Sequence, residues 1–329
     1  LVSTMHPAFS VIFLTTLIGV GQGLFLALFT VESYAAFGLL PAQPGRFYAL
    51  GSAVALGFLV AGLVASFFHL GRPERAWRSA AKWRTSWLSR EVIVLPAFMG
   101  TVFLYGAAHF AGFNPVLATL PSAVPVGLTL LLGLAGTVLA FALFVCTGMI
   151  YACLRFLQEW HTPLTVINYT LLGGASGFVL ASAMAALLAP EVAGFLGGWA
   201  MILTALAFIG RAAALVRNAR LRPKSTLRTA IGVKHPRIAQ KAQGAMGGSF
   251  NTREFFHGRS ARLLRQVKWL FLLLVLPLPL GLLMAGAALA SPALLLAAFA
   301  VQYLGLIAER WFFFAQANHP QNLYYQAIS

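Results

Sequence analysis

Residues 124–147 read VPVGLTLLLGLAGTVLAFALFVCT and contain no charged side chain. As an α-helix, such a run exceeds the roughly 20 residues needed to cross a hydrocarbon core about 30 Å thick. Runs of the same kind recur at 8–31, 47–69, 91–112, 163–188, 195–215, 268–290 and 292–314. Across the 329 residues, 60% are hydrophobic and 9% charged, whereas a soluble domain carries about 25% charged residues. The reading is an all-α integral membrane protein of eight transmembrane helices in one membrane domain, arranged as two four-helix bundles.

Proline marks the breaks between spans, at Pro41 and Pro44, Pro115, Pro121 and Pro125, Pro163, Pro190 and Pro292, because its ring and missing N–H obstruct helix continuation. Small residues four apart, Gly19 and Gly23, Gly173 and Gly177, and Gly194 and Gly198, are positions where helices can approach closely. With eight crossings, both termini and the loops after the second, fourth and sixth spans share one side. Of 23 basic residues only Arg46 falls opposite. Lys and Arg concentrate in cytoplasmic loops, so both termini are expected in the cytoplasm, with the chain in the inner membrane of a bacterium. The long basic segment 217–265 then faces the cytoplasm. It is either a solvated loop against anionic lipid or a docking surface for a cytoplasmic subunit, with Phe250, Phe255 and Phe256 as apolar anchors.

The net charge of +16 does not indicate nucleic acid, since no soluble basic fold or aromatic interleaving accompanies it. Cys146 and Cys153 lack the close spacing of iron–sulfur or zinc ligands, so no cluster or metal is expected in this chain. Nor do the seven histidines supply a facing pair of buried axial ligands, so no haem is expected either.

Ionisable groups at the ends of spans are the candidates for chemistry, because they are costly there. His69 ends the second span and Glu91 begins the third, which puts both at one membrane depth. A quinone site needs an apolar slot, donors for the carbonyls and a group that exchanges protons near neutral pH, a need His meets best. Trp77, Trp83 and Trp87 can wall such a slot, or anchor at the interface as Trp commonly does. Glu309-Arg310 near the end of the eighth span is read as structural, the two neutralising each other or pairing with a second cluster that follows the fourth span, with Tyr151, Arg155, Glu159, His161 and Thr162-Pro163 on the same side. Structural anchoring is as good an account of this second group as chemistry.

The run His69-Leu-Gly-Arg-Pro-Glu-Arg-Ala-Trp77, followed by Ser86-Trp-Leu-Ser-Arg-Glu91, resembles the signature of the dimethyl sulfoxide reductase membrane-anchor family (DmsC). The resemblance runs nearly end to end, through the Met149 to Pro163 turn and Glu309-Arg310-Trp-Phe. It implies an anchor that binds an iron–sulfur subunit, which in turn binds a molybdopterin catalytic subunit, and that exchanges electrons with membrane quinone without haem. It also carries the quinol-site histidine onto His69 and the important glutamate onto Glu91, with Arg72, Trp77, Trp87, Tyr151, Arg155, His161 and Arg310 as secondary candidates. The stretches His235-Pro-Arg-Ile-Ala-Gln-Lys and 247–258, and the opening Met5-His-Pro-Ala-Phe-Ser, are similar to the anchors of cytoplasmic sulfite dehydrogenases. A sulfite-oxidising complex delivers electrons to quinone, while a sulfoxide-reducing one withdraws them from quinol. Both directions stay open, as do a transporter, which needs polar residues through the bilayer, and a passive tether.

Overall fold

The computed structural model describes residues 7–68, 70–119, 124–222, 226, 228–229, 232–235, 237–238 and 260–317. His69, and Phe250, Phe255 and Phe256 of the basic segment, lie outside the described residues. Eight helical stretches are long and apolar enough to cross a membrane. They are α1 (Pro7–Ala36), α2 (Gly45–Phe67), α3 (Trp87–Ala111), α4 (Leu128–Ala152), α5 (Pro163–Leu188), α6 (Pro190–Ala219), the pair α7 (Ala261–Val275) and α8 (Pro277–Ala288), and α9 (Pro292–Ala315).

Capping chemistry sets several of these bounds. Ser86 accepts from the Ser89 N–H, so α3 begins at Trp87, a turn before the apolar run does. Thr162 and Ser291 cap α5 and α9 in the same way, each with proline at the first helical position, where a missing N–H costs nothing. At the start of α4, Asn114 Oδ1 accepts from the Thr129 N–H at 3.0 Å. Residues 125–127 thereby leave the helix as a short strand, Pro125–Gly127, antiparallel to Val116–Thr119. A 3-10 segment, Pro73–Lys82, joins α2 to α3 and buries none of its residues.

The seventh span is interrupted at Leu276. The Val275 carbonyl would accept from residue 279, which is proline and has no N–H, and Gln302 Nε2 of α9 donates to it instead at 3.3 Å. The same amide donates to Thr204 Oγ1 of α6 at 3.0 Å. A freed carbonyl in the bilayer needs such a substitute.

Contacts between helices run from α1 to α2, α3, α4 and back to α1, and from α5 to α6, α8, α9 and back to α5. The two rings meet where α1 packs on α5, the two most buried spans. Gly19 and Gly23 of α1 face Gly173 and Gly177 of α5 backbone to backbone. A Cβ on Gly19 would sit 3.3 Å from Gly173 Cα, and one on Gly177 would strike the backbone of Gly23 and Leu24. Gly194 and Gly198 differ, because nothing lies within 4 Å of a Cβ there. Of the three spaced glycine pairs, the two at the α1–α5 crossing are thus the ones that meet a partner backbone.

Candidate functional site

Both α1 and α5 have small or polar residues where they cross, and a cavity opens beside the crossing. It is narrow, about 20 Å³, and lies among residues of α1, α3, α4, α5 and α9. Leu14, Ile18, Phe144, Leu172 and Leu306 give it apolar walls, and Thr15, Thr16, Gln22, Glu91, Thr147, Tyr169 and Arg310 give it polar ones.

Glu91 enters from the second turn of α3 and is 7% exposed. The Thr147 hydroxyl of α4 donates to its Oε1. Gln22 lies on the α1 wall, held by a 2.8 Å bond from its Nε2 to the Ala140 carbonyl. On α9, Arg310 is 4% exposed, and its guanidinium carbon lies 3.6 Å from the centroid of the Tyr169 ring. A carboxylate and a guanidinium therefore reach one cavity from separate helices.

Arg310 belongs to a buried charge cluster. Glu309 Oε1 stands 2.6 Å from Arg211 Nε of α6, and its Oε2 stands 3.7 Å from Arg310 Nη2. Arg211 also lies over Phe271 and Phe312 at 5.5 and 5.7 Å. Around this cluster a second, smaller cavity of about 10 Å³ is lined by Glu159, Thr165, Asn168, Tyr169, Arg211, Ala214, Glu309, Arg310 and Phe313. Tyr169 and Arg310 line both cavities and so form the wall between them.

The α4–α5 turn fixes this wall. Trp160 Nε1 donates to the Phe313 carbonyl of α9 at 2.9 Å, Thr165 Oγ1 to the Trp160 carbonyl at 2.7 Å, and Arg217 Nη1 of α6 to the Gln158 carbonyl at 3.0 Å. Tyr151 stacks on Tyr169 with centroids 5.7 Å apart and meets Trp160, Phe313 and Phe314 edge-on. Aromatic packing and backbone bonds thus hold the guanidinium of Arg310 and the ring of Tyr169 in register.

The structure brings together Glu91, Arg310 and, through Tyr169, Tyr151. Other sequence candidates sit elsewhere. Arg72 and Arg155 are exposed. Trp77 is 71% exposed, with Arg78 5.5 Å over its ring, and Trp87 is half-buried under Arg90 at 4.2 Å. His161 is exposed, with Nδ1 2.5 Å from the Ala152 carbonyl. None of these five lines the cavity that holds Glu91. Conversely, Thr147, Tyr169, Gln22 and Arg211 were not singled out by sequence. The signal for Arg211 was its place inside an apolar run, where it read as the first of the loop cations. Thr147, Tyr169 and Gln22 carry no charge, and only the packing of α1, α4 and α5 shows what they face.

At the other end of the bundle, Glu32 of α1 accepts from the Tyr105 hydroxyl at 2.6 Å and stands 3.4 Å from His109 Nε2. Tyr48 stacks on the His109 ring at 4.4 Å. His109 is therefore tied to a carboxylate and two tyrosines rather than to another histidine. Among the described residues there is no group of three or more His, Cys, Asp or Glu placed to hold a metal ion.

Residues 3–233 match the family model described as DMSO reductase anchor subunit (DmsC). The chain belongs to this anchor family. Over 325 residues it is 60% identical to a sulfite dehydrogenase subunit of Allochromatium vinosum, a match that covers 99% of this chain and 100% of that protein. As an anchor of this family, with eight spans, it is the membrane subunit of a complex whose catalytic subunits are separate chains.

Proposed function

We propose that this anchor exchanges electrons between an iron–sulfur partner subunit and membrane quinone, with quinone as the exchangeable substrate of the cavity between Glu91 and Arg310. The observation that carries the reading is that one narrow cavity has both apolar and polar walls, with a carboxylate and a guanidinium among the polar ones. A quinone ring has a carbonyl at each end, and the two polar groups suit them. Arg310 is a permanent donor, and Glu91, bonded by Thr147, can give up or take a proton as a carbonyl oxygen changes charge. His69, at the α2 end that the family motif includes, is the proposed partner of Glu91 in passing protons to and from the cytoplasm.

Similarity to the sulfite dehydrogenase subunit favours the oxidising direction, in which electrons leave sulfite at a molybdopterin subunit, pass through [4Fe–4S] clusters and reduce quinone here. Each electron that reaches the ring is matched by a proton, so the chain's own work is to orient the ring, exclude bulk water and hold protons at the Glu91 carboxyl. The basic cytoplasmic segment and the 3-10 segment, with Arg72, Arg75 and Arg78 exposed, offer charge for docking the iron–sulfur subunit.

The test is the purified complex carrying Glu91→Gln or His69→Ala. Sulfite-dependent reduction of a short-chain quinone should be lost while reduction of a soluble dye continues. Quinone reduction at the wild-type rate in both variants would reject the assignment.

A further inference from the structure

The smaller cavity, around the charge cluster, has the size and the lining of a water site. A buried water needs about 10–15 Å³ and two to four polar partners, and this space is about 10 Å³. Asn168 and Arg211 line it and are 6% and 3% exposed, yet Asn168 Oδ1 and Arg211 Nη2 have no hydrogen-bond partner among the described residues. Glu309 Oε2 has no hydrogen bond either, with Arg310 Nη2 at 3.7 Å. A water can donate to the amide and carboxylate oxygens while it accepts from the guanidinium.

This cavity lies between the α4–α5 turn and the space at Glu91. Glu159, half-buried in that turn, is part of its lining, and its carbonyl accepts from Asn218 Nδ2 of α6 at 3.3 Å. With Glu159 counted, two carboxylates, Glu159 and Glu309, stand against the two guanidiniums of Arg211 and Arg310. The ionised lining therefore has no net charge to repel a proton. Tyr169, 4% exposed, lines both this cavity and the one at Glu91, which at about 20 Å³ also has room for a water. Its ring is fixed by Arg310 and stacked on Tyr151. Its hydroxyl interacts with the charges of Glu91 and Glu309 but makes no hydrogen bond of ordinary geometry. A hydroxyl both donates and accepts, so this one can take a proton from one cavity while it releases its own to the other.

We infer that Glu159, a water bound in the smaller cavity and the Tyr169 hydroxyl form a proton path from the α4–α5 turn to Glu91. The inference rests on the quinone reading and adds to it a proton entry besides His69. Chains of ionisable and polar groups inside a membrane serve as proton relays. A proton taken up by Glu159 passes to the water, one from the water passes to the Tyr169 oxygen, and the hydroxyl's own proton goes on to the Glu91 side. Each group ends with the protons it began with, and no electron moves along the path. Arg310 and Tyr151 are positioning residues, because they hold the ring that carries the hydroxyl.

The test uses the purified complex carrying Tyr169→Phe, which keeps the ring and removes the hydroxyl, or Glu159→Gln, which removes the entry carboxylate. Quinone-linked turnover should fall about tenfold or more in each, with dye-linked turnover unchanged. The residual rate should differ more between ordinary and heavy water than the wild-type rate does, because proton delivery has become limiting. Azide, a small weak acid that can carry a proton in place of the carboxylate, should raise quinone-linked turnover of Glu159→Gln and leave its dye-linked turnover alone. The water itself is tested by hydroxyl-radical labelling with an X-ray pulse, which marks buried side chains beside bound water. Tyr169 should be labelled in the wild type, and Tyr105, fully buried with its hydroxyl bonded to Glu32, should not. Wild-type turnover in both variants, a loss with the isotope ratio unchanged, or Tyr169 labelled no more than Tyr105 overturns the path and leaves the quinone site standing. Wild-type quinone turnover in Glu91→Gln overturns the quinone site and the path with it.

Discussion

Arg211 of α6 and Glu309 of α9 form a buried ion pair, 2.6 Å between Nε and Oε1, and Arg310 shares the same carboxylate from 3.7 Å. This sharing makes the cluster asymmetric. Removing Glu309 leaves two guanidiniums facing one another, whereas removing Arg211 leaves Glu309 with Arg310. Breaking a buried pair by deleting one partner costs about 3–5 kcal/mol. Glu309→Gln should therefore lower the thermal unfolding temperature in detergent more than Arg211→Met does, and the double variant, which leaves one unpaired guanidinium instead of two, should lose less than the sum of the single variants. Equal loss from the two single variants would contradict the shared-carboxylate arrangement.

Thr147 donates to Glu91 from a neighbouring helix. Thr147→Val keeps the shape and deletes the donor, which leaves a buried carboxylate with one bond fewer, a loss of about 1–3 kcal/mol. If that loss appears in the step the carboxylate serves, quinone-linked turnover of the complex falls roughly tenfold to a hundredfold. Dye-linked turnover stays at the wild-type level, because the dye does not use the cavity. A parallel loss of both activities would instead assign Thr147 to assembly.

The α1–α5 crossing gives a packing test with its own control. Gly177→Ala places a methyl against the Gly23 and Leu24 backbone, which has no side chain to move aside, while Gly198→Ala meets nothing within 4 Å. Overpacking of this kind costs about 1–3 kcal/mol or more. The first variant should be clearly less heat-stable in detergent, and the second unchanged or slightly more stable, since alanine favours helix over glycine. Because the cavity lies beside this crossing, Gly177→Ala should also weaken quinone-linked turnover.

The spans were legible because a run such as 163–188 has one physical solution in lipid, a helix bounded by Thr162 and Pro163 at one end and Pro190 just past the other. Boundaries drifted where side-chain bonds decided them, as with Ser86 at α3 and Asn114 at α4. Glycine spacing found the α1–α5 contact but also flagged Gly194 and Gly198, which face open space, since spacing along one helix does not say what stands opposite. For the candidate site, charge at the end of a span pointed to Glu91, whereas Arg310 came as a secondary candidate of the family resemblance. Tyr169, Thr147 and Gln22 matter through neighbours that are distant in sequence, and periodicity carries no record of those. The interface tryptophans were legible as residues but not as roles, because Trp77 finds Arg78 rather than a cavity.

Orientation can be read from the two cysteines. Cys146 is buried and Cys153 is exposed, just past the end of α4. From the distribution of basic residues we propose that this end faces the cytoplasm, and a thiol reacts with maleimide only where the reagent reaches it. A membrane-impermeant maleimide should therefore leave the chain unlabelled in intact cells and modify it in inverted membrane vesicles, with Cys153→Ser abolishing the signal. Labelling in intact cells would reverse the orientation. It would move Glu159 and the whole Arg211–Glu309–Arg310 end of the bundle to the outer face, and with them the side from which protons reach Glu91.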